Sequence, residues 1–456
     1  MKQITLLGAV LVTVVACSGA PAGTTAPAGS TAPAGSTASG STSPITSGPG
    51  PESGTVSLTL WTGYPEMAPV YNQAATAYHA LHPNVTVTVS PFELRTSEEK
   101  MAVAIPSNTG PDIADTQTAI LSAMIKKGLI AKMPDWLQQF AASSAYDKFT
   151  ISSTSYNGVL WGLPEDIGTN ALFYNKDMFA AAGLQPPASM ADIEADASKL
   201  AVRGPNGQLT VSGLSLRLTG GGSGLGQKWW VWEEQCGHGL VAQNAAGKWH
   251  ADYANDCGVS TLEMYVNMVN KSPIVDDPNI AADTAAFETQ KTAMFVRESN
   301  VIADIAKNAP TLVGHYGVVA LPVATRVDTE SLFVTQSSPH QQTAWDFIRF
   351  LADETQQAAV AAIAGWKPAR ADLGYSQLMQ QQPAWTAFLQ PQASLKFFAT
   401  PTLAEFNQIE TDLSTSLQAA FIDKSLVDNP AGALQQLQKF ANHTNDLLKA
   451  ANDYGE

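Results

Sequence analysis

The sequence predicts an α/β protein built from two lobes, and two observations lead to that prediction. Short stretches in which apolar and polar residues alternate are followed by stretches with helical apolar spacing, a succession typical of parallel α/β sheets. The chain also has 456 residues, of which 45% are hydrophobic and 14% charged. Because a single hydrophobic core rarely grows beyond about 250–300 residues, a globular chain of this length is expected to form two cores.

The chain begins with a segment typical of a secretory signal peptide. Lys2 precedes an apolar run from Ile4 to Ala16, which is shorter than the roughly 20 residues that a membrane-spanning helix needs. Val14-Val15-Ala16-Cys17 resembles a bacterial lipobox, with Val14 where leucine is usual. We expect residues 1–17 to be a lipoprotein signal peptide that leaves Cys17 lipidated, the alternative being an ordinary signal peptide cut a few residues later.

Residues 18–54 are predicted to be a disordered tether. They consist almost wholly of Ala, Pro, Gly, Ser and Thr, repeat TAPAGS at 25–30 and 31–36, and carry a single charge at Glu52. Such a composition buries too little apolar surface to offset the loss of chain entropy on folding. A glycosylated or cleavable stalk is the alternative, with the same physical role.

From Val56 onward, strands and helices are predicted to alternate. Alternating valines and leucines indicate strands, and apolar residues spaced three and four apart indicate helices. The predicted order is a strand at 56–60, a helix at 71–81 that ends before Pro83, a strand at 85–89, a helix near 97–105, a short strand at 112–114 and a helix from about 119 to 128.

Farther along the chain, the pattern is mostly helical. Ser189 and Asp192 have the spacing of a capping box and predict the start of a helix. Ala344, Phe347 and Leu351 lie on one face of another helix, and helical spacing returns after Pro401. These helices are expected to pack the two cores.

Charge and cysteine content exclude several classes of partner and scaffold. With 25 Lys and Arg against 40 Asp and Glu, the net charge is −15, which opposes binding to nucleic acid and to anionic membranes. Three cysteines cannot form a disulfide-rich scaffold or a four-cysteine zinc site. Cys236 and Cys257, which remain after Cys17, are expected to form one disulfide outside the cell, with a metal or thiol role as the alternative.

Motifs for catalysis and for cofactor binding are absent from the sequence. The glycine-rich run from Gly220 to Lys228 has Gln227 where a phosphate-binding loop requires lysine. Neither the nucleophile elbow Gly-x-Ser-x-Gly nor the zinc motif His-Glu-x-x-His occurs. We therefore expect no catalytic residues, no metal site and no cofactor. A secreted glycosidase stays an alternative because two acidic pairs, Glu165-Asp166 and Glu233-Glu234, could supply its carboxylates.

The order of segments along the body resembles a known family. The segments are Leu60-Trp61, 82–85 (HPNV), 110–113 (GPDI), Gly128-Leu129, 157–164 (NGVLWGLP), 172–179 (LFYNKDMF), 182–184 (AGL), Phe287 with 291–294 (KTAM), Leu321-Pro322, 344–348 (AWDFI) and 365–370 (GWKPAR). Their succession resembles the extracellular solute-binding proteins of ABC importers, specifically the maltose-binding type that captures sugars. Gln290 and Lys291 stand where that family usually has glycine.

The resemblance implies a periplasmic-binding-protein-like fold with a ligand cleft between two lobes that crossing segments join. It assigns residues 56–166 plus 289–338 to lobe one and 167–288 plus 339–456 to lobe two. It also implies a monomer without enzymatic activity, anchored outside the cell membrane, that passes its ligand to membrane permease subunits.

The residue types in the expected loops suit a sugar ligand. An aromatic ring covers the apolar face of a pyranose, and polar groups pair its hydroxyls, because an unmatched buried polar group costs about 1–3 kcal/mol. Three Trp residues within positions 229–232 are not expected to fit one core, so at least one should face the cleft. A polyamine or an organic acid is the alternative ligand. The predicted ligand-binding residues are Tyr64, Glu66, Asp115, Thr116, Gln117, Glu165, Asp166, Thr169, Trp229, Trp230, Trp232, Glu298, Trp366 and Arg370.

Overall fold

The computed structural model describes residues 48–143, 145–219, 222–271, 274–275 and 283–456. The predicted signal peptide, Cys17 and most of the predicted tether lie outside these ranges. A compact unit extends from Ile45 to Glu456. Within the described ranges, none of the helices combines the length and the apolar character that crossing a bilayer requires.

The described chain contains strands and helices throughout, as the sequence predicts for an α/β protein. The strands are β1 (Val56–Thr62), β2 (Val85–Pro91), β3 (Ile113–Gln117), β4 (Leu163–Thr169), β5 (Ala171–Asn175), β6 (Val202–Arg203), β7 (Leu209–Val211), β8 (Val241–Gln243), β9 (Trp249–Ala251), β10 (Met294–Arg297), β11 (Tyr316–Ala320), β12 (Ala324–Val334), β13 (Lys367–Pro368) and β14 (Lys396–Ala399). The helices are α1 (Ala68–Leu81), α2 (Leu94–Ala104), α3 (Thr118–Lys126), α4 (Asp135–Ala141), α5 (Lys148–Thr154), α6 (Lys176–Ala182), α7 (Met190–Leu200), α8 (Gly224–Glu233), α9 (Asp256–Val266), α10 (Asp283–Glu288), α11 (Val301–Asn308), α12 (Gln341–Leu351), α13 (Glu354–Ala359), α14 (Ser376–Gln381), α15 (Thr386–Leu389), α16 (Phe406–Phe421) and α17 (Pro430–Ala450).

The larger sheet has seven strands in the order β13-β4-β12-β3-β1-β2, with β14 also paired to β12. Strands β2, β1 and β3 run parallel, and β12 runs antiparallel to both β3 and β4. All eleven residues of β12 are buried, which fits a strand in the middle of a sheet. Because β1, β2 and β3 are parallel, their carboxyl ends meet at one edge of this sheet.

A smaller antiparallel sheet of the order β10-β5-β11 forms the centre of the second lobe. Phe173 of β5 is buried against Phe295 of β10, with ring centroids 5.0 Å apart. The chain passes from β4 in the larger sheet to β5 in the smaller one with only Asn170 between them. This segment therefore crosses directly from one sheet to the other.

The expected lobe boundaries differ from the observed packing at two places. Residues 289–338 were expected in lobe one, but β10 and β11 pair with β5, and only β12 of this range joins the larger sheet. Helix α12 was expected in lobe two, but its Phe347 packs against Tyr78 of α1, with ring centroids 5.1 Å apart. The reason is long-range pairing, which the order of segments along the chain does not encode.

Helix α8 corrects the prediction for the three neighbouring tryptophans. Trp229, Trp230 and Trp232 are 0%, 2% and 4% exposed and belong to one hydrophobic core, together with Tyr253 and Phe406. Every residue of α8 is buried, so this helix has no solvent face on which an indole would have to be exposed. Three indoles within four positions therefore do fit one core.

A disulfide joins Cys236, just after α8, to Cys257 in the first turn of α9. The two Cα atoms are 6.1 Å apart. Closing a loop of this length restricts the unfolded chain and stabilises the folded protein by roughly 3 kcal/mol. The bond holds α9 against the buried helix α8.

Candidate functional site

A cleft of about 260 Å³ lies at the carboxyl ends of the three parallel strands of the larger sheet. The segment Gly63–Glu66 follows β1, Glu93–Arg95 follows β2, and Gln117 ends β3. The opposite wall comes from the first turns of α8 and from the residues after β10. Ligand sites of α/β proteins commonly lie at this position, where strand ends leave a crevice.

Two aromatic side chains form one end of the cleft. The rings of Trp366 and Tyr64 meet edge to face, with centroids 5.7 Å apart. The indole Nε1 donates a hydrogen bond to Glu66 Oε1 at 3.0 Å. Trp366 is 8% exposed, so most of its surface is covered by protein and its remaining surface borders the cleft.

Gly365 allows the indole to reach this position. Its φ of 77° lies in the left-handed region, where side chains other than glycine are strained. A Cβ at this residue would also lie 2.9 Å from the Cβ of Ala303 and 3.0 Å from the Cα of Asn300. The turn before Trp366 therefore requires glycine both for its backbone conformation and for its close approach to α11.

The buried carboxyl group of Glu330 holds the Tyr64 side chain in place. The Tyr64 hydroxyl donates to Glu330 Oε1 at 2.5 Å. Burial raises the pKa of Glu330 well above its usual range, and the negative charges of Asp328 and Asp166 raise it further. Glu330 therefore keeps its proton to a higher pH than an exposed glutamate does.

Ion pairs connect helix α8 with the residues at the end of β10 in the opposite wall of the cleft. Lys228 Nζ lies 2.6 Å from Glu298 Oε1 and 3.0 Å from Asn170 Oδ1. Arg297 contacts Glu298 Oε2 at 2.9 Å and Asp283 Oδ1 at 3.0 Å. Burial alone would raise the pKa of Glu298, but the charges of Lys228 and Arg297 hold it below its usual range. Burial lowers the pKa of Lys228 to about 8.

Some polar side chains of the cleft form hydrogen bonds between the two lobes. Gln227 Nε2 in α8 lies 3.4 Å from Gln117 Oε1 at the end of β3, and 3.2 Å from Glu410 Oε2 of α16. Arg326 of β12 is paired with Asp328 and lies over the Trp230 ring, 5.5 Å from its centroid. Trp230 thus supports a charged residue of the cleft from within the core.

The structure brings five of the predicted ligand-binding residues to the cleft. They are Tyr64, Glu66, Gln117, Glu298 and Trp366. Thr116, Asp166 and Thr169 are buried in β3 and β4 and do not line it, whereas Gly168 of β4 does. The strand periodicity explains this result for Thr116 and Thr169, because each neighbours a lining residue, Gln117 or Gly168, and neighbouring strand residues point to opposite faces. Asp166 is on the same face as Gly168 but lies farther from the end of β4.

Asp115 and Glu165 form a buried network behind the cleft. The Tyr71 hydroxyl lies within hydrogen-bond distance of both carboxyl groups, 2.9 Å from Asp115 Oδ2, and its single proton can be donated to only one of them. Asp115 Oδ1 also accepts from the backbone N–H of Gly63, at 3.0 Å. Burial raises the pKa of Asp115 to about 6 and that of Glu165 well above its usual range. These residues hold the loop after β1 in place and do not border the cleft.

Arg370 was predicted to bind ligand, but its guanidinium is occupied elsewhere. Its Nε and Nη2 atoms pair with both carboxylate oxygens of Asp372, at 2.7 and 2.6 Å. Its Nη1 donates to the Ala352 carbonyl at 2.7 Å. Arg370 therefore stabilises the turn after β13 and does not line the cleft.

Several residues of the cleft were not predicted from the sequence. Arg95, Arg217, Gln227, Lys228, Arg326 and Asp328 all line it. Only Gln227 and Lys228 had a sequence signal, since they end the glycine-rich run that partly resembles a phosphate-binding loop. The others lie on elements whose local pattern indicates a strand, a helix or a loop and nothing further.

The described residues that line the cleft suit binding of a polar ligand. They include no histidine, serine or cysteine, the usual nucleophiles and bases of secreted hydrolases. The acidic pairs Glu165-Asp166 and Glu233-Glu234, considered for a glycosidase, are buried away from it. In the described part of the chain, no group of three or more His, Cys, Asp or Glu side chains could hold a metal ion.

The architecture is similar to that of solved solute-binding proteins. A solute-binding protein of an ABC transporter from Thermotoga lettingae, bound to α-D-tagatose, superposes with a TM-score of 0.74 at 20% identity over 86% of this chain and 99% of that one. A receptor of Streptomyces glaucescens, solved unliganded and with acarbose, superposes with a TM-score of 0.71 at 20% identity over 88% and 100% of the two chains.

Sequence comparison extends the likeness beyond the fold. A protein of Brucella abortus (strain 2308), provisionally named a binding protein, is 22% identical over 83% of this chain and 90% of its own length. The sequence profile of the bacterial extracellular solute-binding proteins matches residues 64–358, which is more than half of the chain. The chain therefore belongs to the family of bacterial extracellular solute-binding proteins.

Proposed function

We propose that the protein captures a saccharide outside the cell membrane and delivers it to the permease of an ABC importer. The observation that carries this proposal is the end of the cleft formed by Trp366, Tyr64 and Glu66. An indole face covers the apolar C–H face of a sugar ring, and a carboxylate beside it accepts hydrogen bonds from hydroxyls. The tagatose and acarbose complexes of the Thermotoga and Streptomyces proteins support the same ligand class.

The rest of the cleft supplies donors and acceptors in about equal number. Its lining contains five Lys or Arg side chains and five Asp or Glu side chains, besides Gln117, Gln227 and Asn300. Hydroxyl groups both donate and accept, so a polyhydroxylated ligand can pair with such a mixed surface. The acidic surplus of the whole chain is thus not concentrated in the cleft, which disfavours a polyamine as ligand.

Calorimetry against a panel of monosaccharides and oligosaccharides tests the proposed ligand class. We expect at least one saccharide to bind with a dissociation constant in the micromolar range or below, because the cleft buries an aromatic face and several hydrogen-bonding groups together. Spermidine and citrate serve as controls for cationic and anionic solutes. Tight binding of either control, together with no binding of any saccharide, would contradict the proposal.

The proposal includes a lipid anchor at Cys17, supported by the lipobox-like segment and by the predicted tether. We expect the full-length chain, produced in a bacterium supplied with labelled palmitate, to incorporate the label. The Cys17→Ala variant should not be labelled, whereas the neighbouring Ser18→Ala variant should be. Labelling of the Cys17→Ala variant would place the lipid elsewhere.

A further inference from the structure

Arg217 is the one cation of the cleft wall without a protein partner among the described residues. Arg95 pairs with Glu98 at 2.6 Å, while Lys228 and Arg297 share Glu298, and Arg297 also contacts Asp283. These pairs place three carboxylates beside four cations, counting Arg217. Within this group the cations outnumber the carboxylates by one, although the cleft lining as a whole carries five of each.

Arg217 lies at the amino-terminal end of α8. A Cβ at Gly224, the first residue of that helix, would lie 3.0 Å from the Cζ atom of Arg217. A Cβ at Gly222 would likewise lie 3.1 Å from the side chain of Arg95. Two glycines thus let two guanidinium groups, one from each lobe, approach the helix end, where backbone N–H groups carry partial positive charge.

The surroundings of Arg217 disfavour its charge in the absence of a ligand. Burial lowers its pKa from the ordinary arginine value, and the nearby charges of Arg297 and Arg95 lower it further. Asp283 and Glu298 oppose this effect, but both carboxylates are already bound by Arg297. A negatively charged ligand group would compensate the remaining charge.

We propose that the saccharide carries an acidic group, a carboxylate or a phosphate, which binds Arg217 and Arg95 at the start of α8 while its ring covers Trp366. This inference rests on the proposed function and narrows the substrate class to acidic saccharides. The forked guanidinium suits it, since its N–H groups pair two oxygens of one carboxylate or phosphate at once. Neutral sugars offer no group that compensates the charge.

Calorimetry with matched ligand pairs tests the acidic group. The pairs are glucose and glucuronate, galactose and galacturonate, galactobiose and digalacturonate, and glucose and glucose 6-phosphate, so that the carboxylate and the phosphate are tested separately. We expect the acidic member of at least one pair to bind at least tenfold more tightly than its neutral partner. The advantage should shrink at higher salt concentration, because added ions screen the charges.

Variants of Arg217 test whether this side chain binds the acidic group of the ligand. Arg217→Gln should weaken binding of the preferred acidic ligand by about ten- to a hundredfold, and Arg217→Lys, which keeps the charge but not the fork, should fall between. Arg203→Gln removes one positive charge from the exposed β6–β7 hairpin, outside the cleft, and should retain wild-type affinity. Within the part of the chain that the structure describes, replacing Arg217 leaves no hydrogen-bonding group without its partner, so the variant should keep the wild-type melting temperature.

The outcomes separate this inference from the proposed function. If a neutral saccharide binds at least as tightly as every acidic one, the ligand is a neutral sugar and the acidic-group inference is wrong, while the proposed function stands. Unchanged affinity of Arg217→Gln for an acidic ligand would also overturn the inference. If no saccharide binds, the proposed function fails, and the inference fails with it.

Discussion

Replacing Trp366 with alanine is expected to weaken saccharide binding by about two- to fivefold. Trp366 is 8% exposed, so only about 20 Å² of an aromatic surface of about 250 Å² is free to cover the sugar. At about 25 cal/mol for each buried Å², and with a similar area of the sugar covered in turn, the loss is about 0.5–1 kcal/mol of binding free energy. Titration calorimetry of the purified variant with the saccharide found for the wild type measures it.

Two further variants show whether the loss comes from the cleft. Trp366→Phe keeps an aromatic ring but not the hydrogen bond from the indole to Glu66, so it should weaken binding by less than Trp366→Ala does. Trp249→Ala removes an indole of the same size from β9, which does not line the cleft, and should leave the affinity unchanged. Because Trp366 also packs in the core, each melting temperature is recorded. Wild-type affinity in a folded Trp366→Ala variant would exclude the indole from ligand binding.

The folded protein is expected to be more stable at pH 5 than at pH 7.5, because several buried carboxylic acids hold their protons. Burial raises the pKa of Asp115 to about 6 and that of Glu410 to about 8, and it raises the pKa of Glu165 and Glu330 in the same direction. The folded state then binds protons that the unfolded chain has released. This contribution is complete below the unfolded-chain pKa and is lost as the pH rises through the folded-state pKa.

The Asp115→Asn variant isolates one of these groups. An amide can still accept from the Gly63 N–H and can donate to the Tyr71 hydroxyl, so the network is preserved without a titrating proton. From the pKa of about 6, Asp115 accounts for about 1–2 kcal/mol of the stability change between pH 5 and pH 7.5. Urea denaturation at both pH values should show a difference that is smaller by that amount in the variant.

Asp135→Asn serves as the matched control for this measurement. The Asp135 side chain is 86% exposed at the start of α4, so its replacement should leave the pH dependence of the unfolding free energy as in the wild type. An equal pH dependence in the wild type and the Asp115→Asn variant would show that Asp115 is already ionised at pH 5 in the folded protein.

Local pattern was sufficient for the first three strands and for several helices. Alternation predicted β1 and β2, and apolar spacing predicted α1, whose Tyr71 and Tyr78 are buried as expected. The predicted capping box is present, with the Ser189 hydroxyl accepting from the Asp192 N–H at 3.1 Å. These features depend on residues a few positions apart, which is why the sequence alone reveals them.

The sequence by itself determined the α/β fold class, the two aromatic residues of the cleft, Tyr64 and Trp366, and the order of segments that is typical of the family. Only the tertiary structure decided which sheet β10 and β11 join, which helix α12 packs against, and which tryptophan reaches the cleft. Every residue of helix α8 is buried, polar or apolar, so the polarity pattern of this helix does not indicate where each indole points. Arg217 and Arg95 come together at the end of that helix from distant parts of the chain, because sheet pairing and interlobe packing, not local periodicity, set their positions.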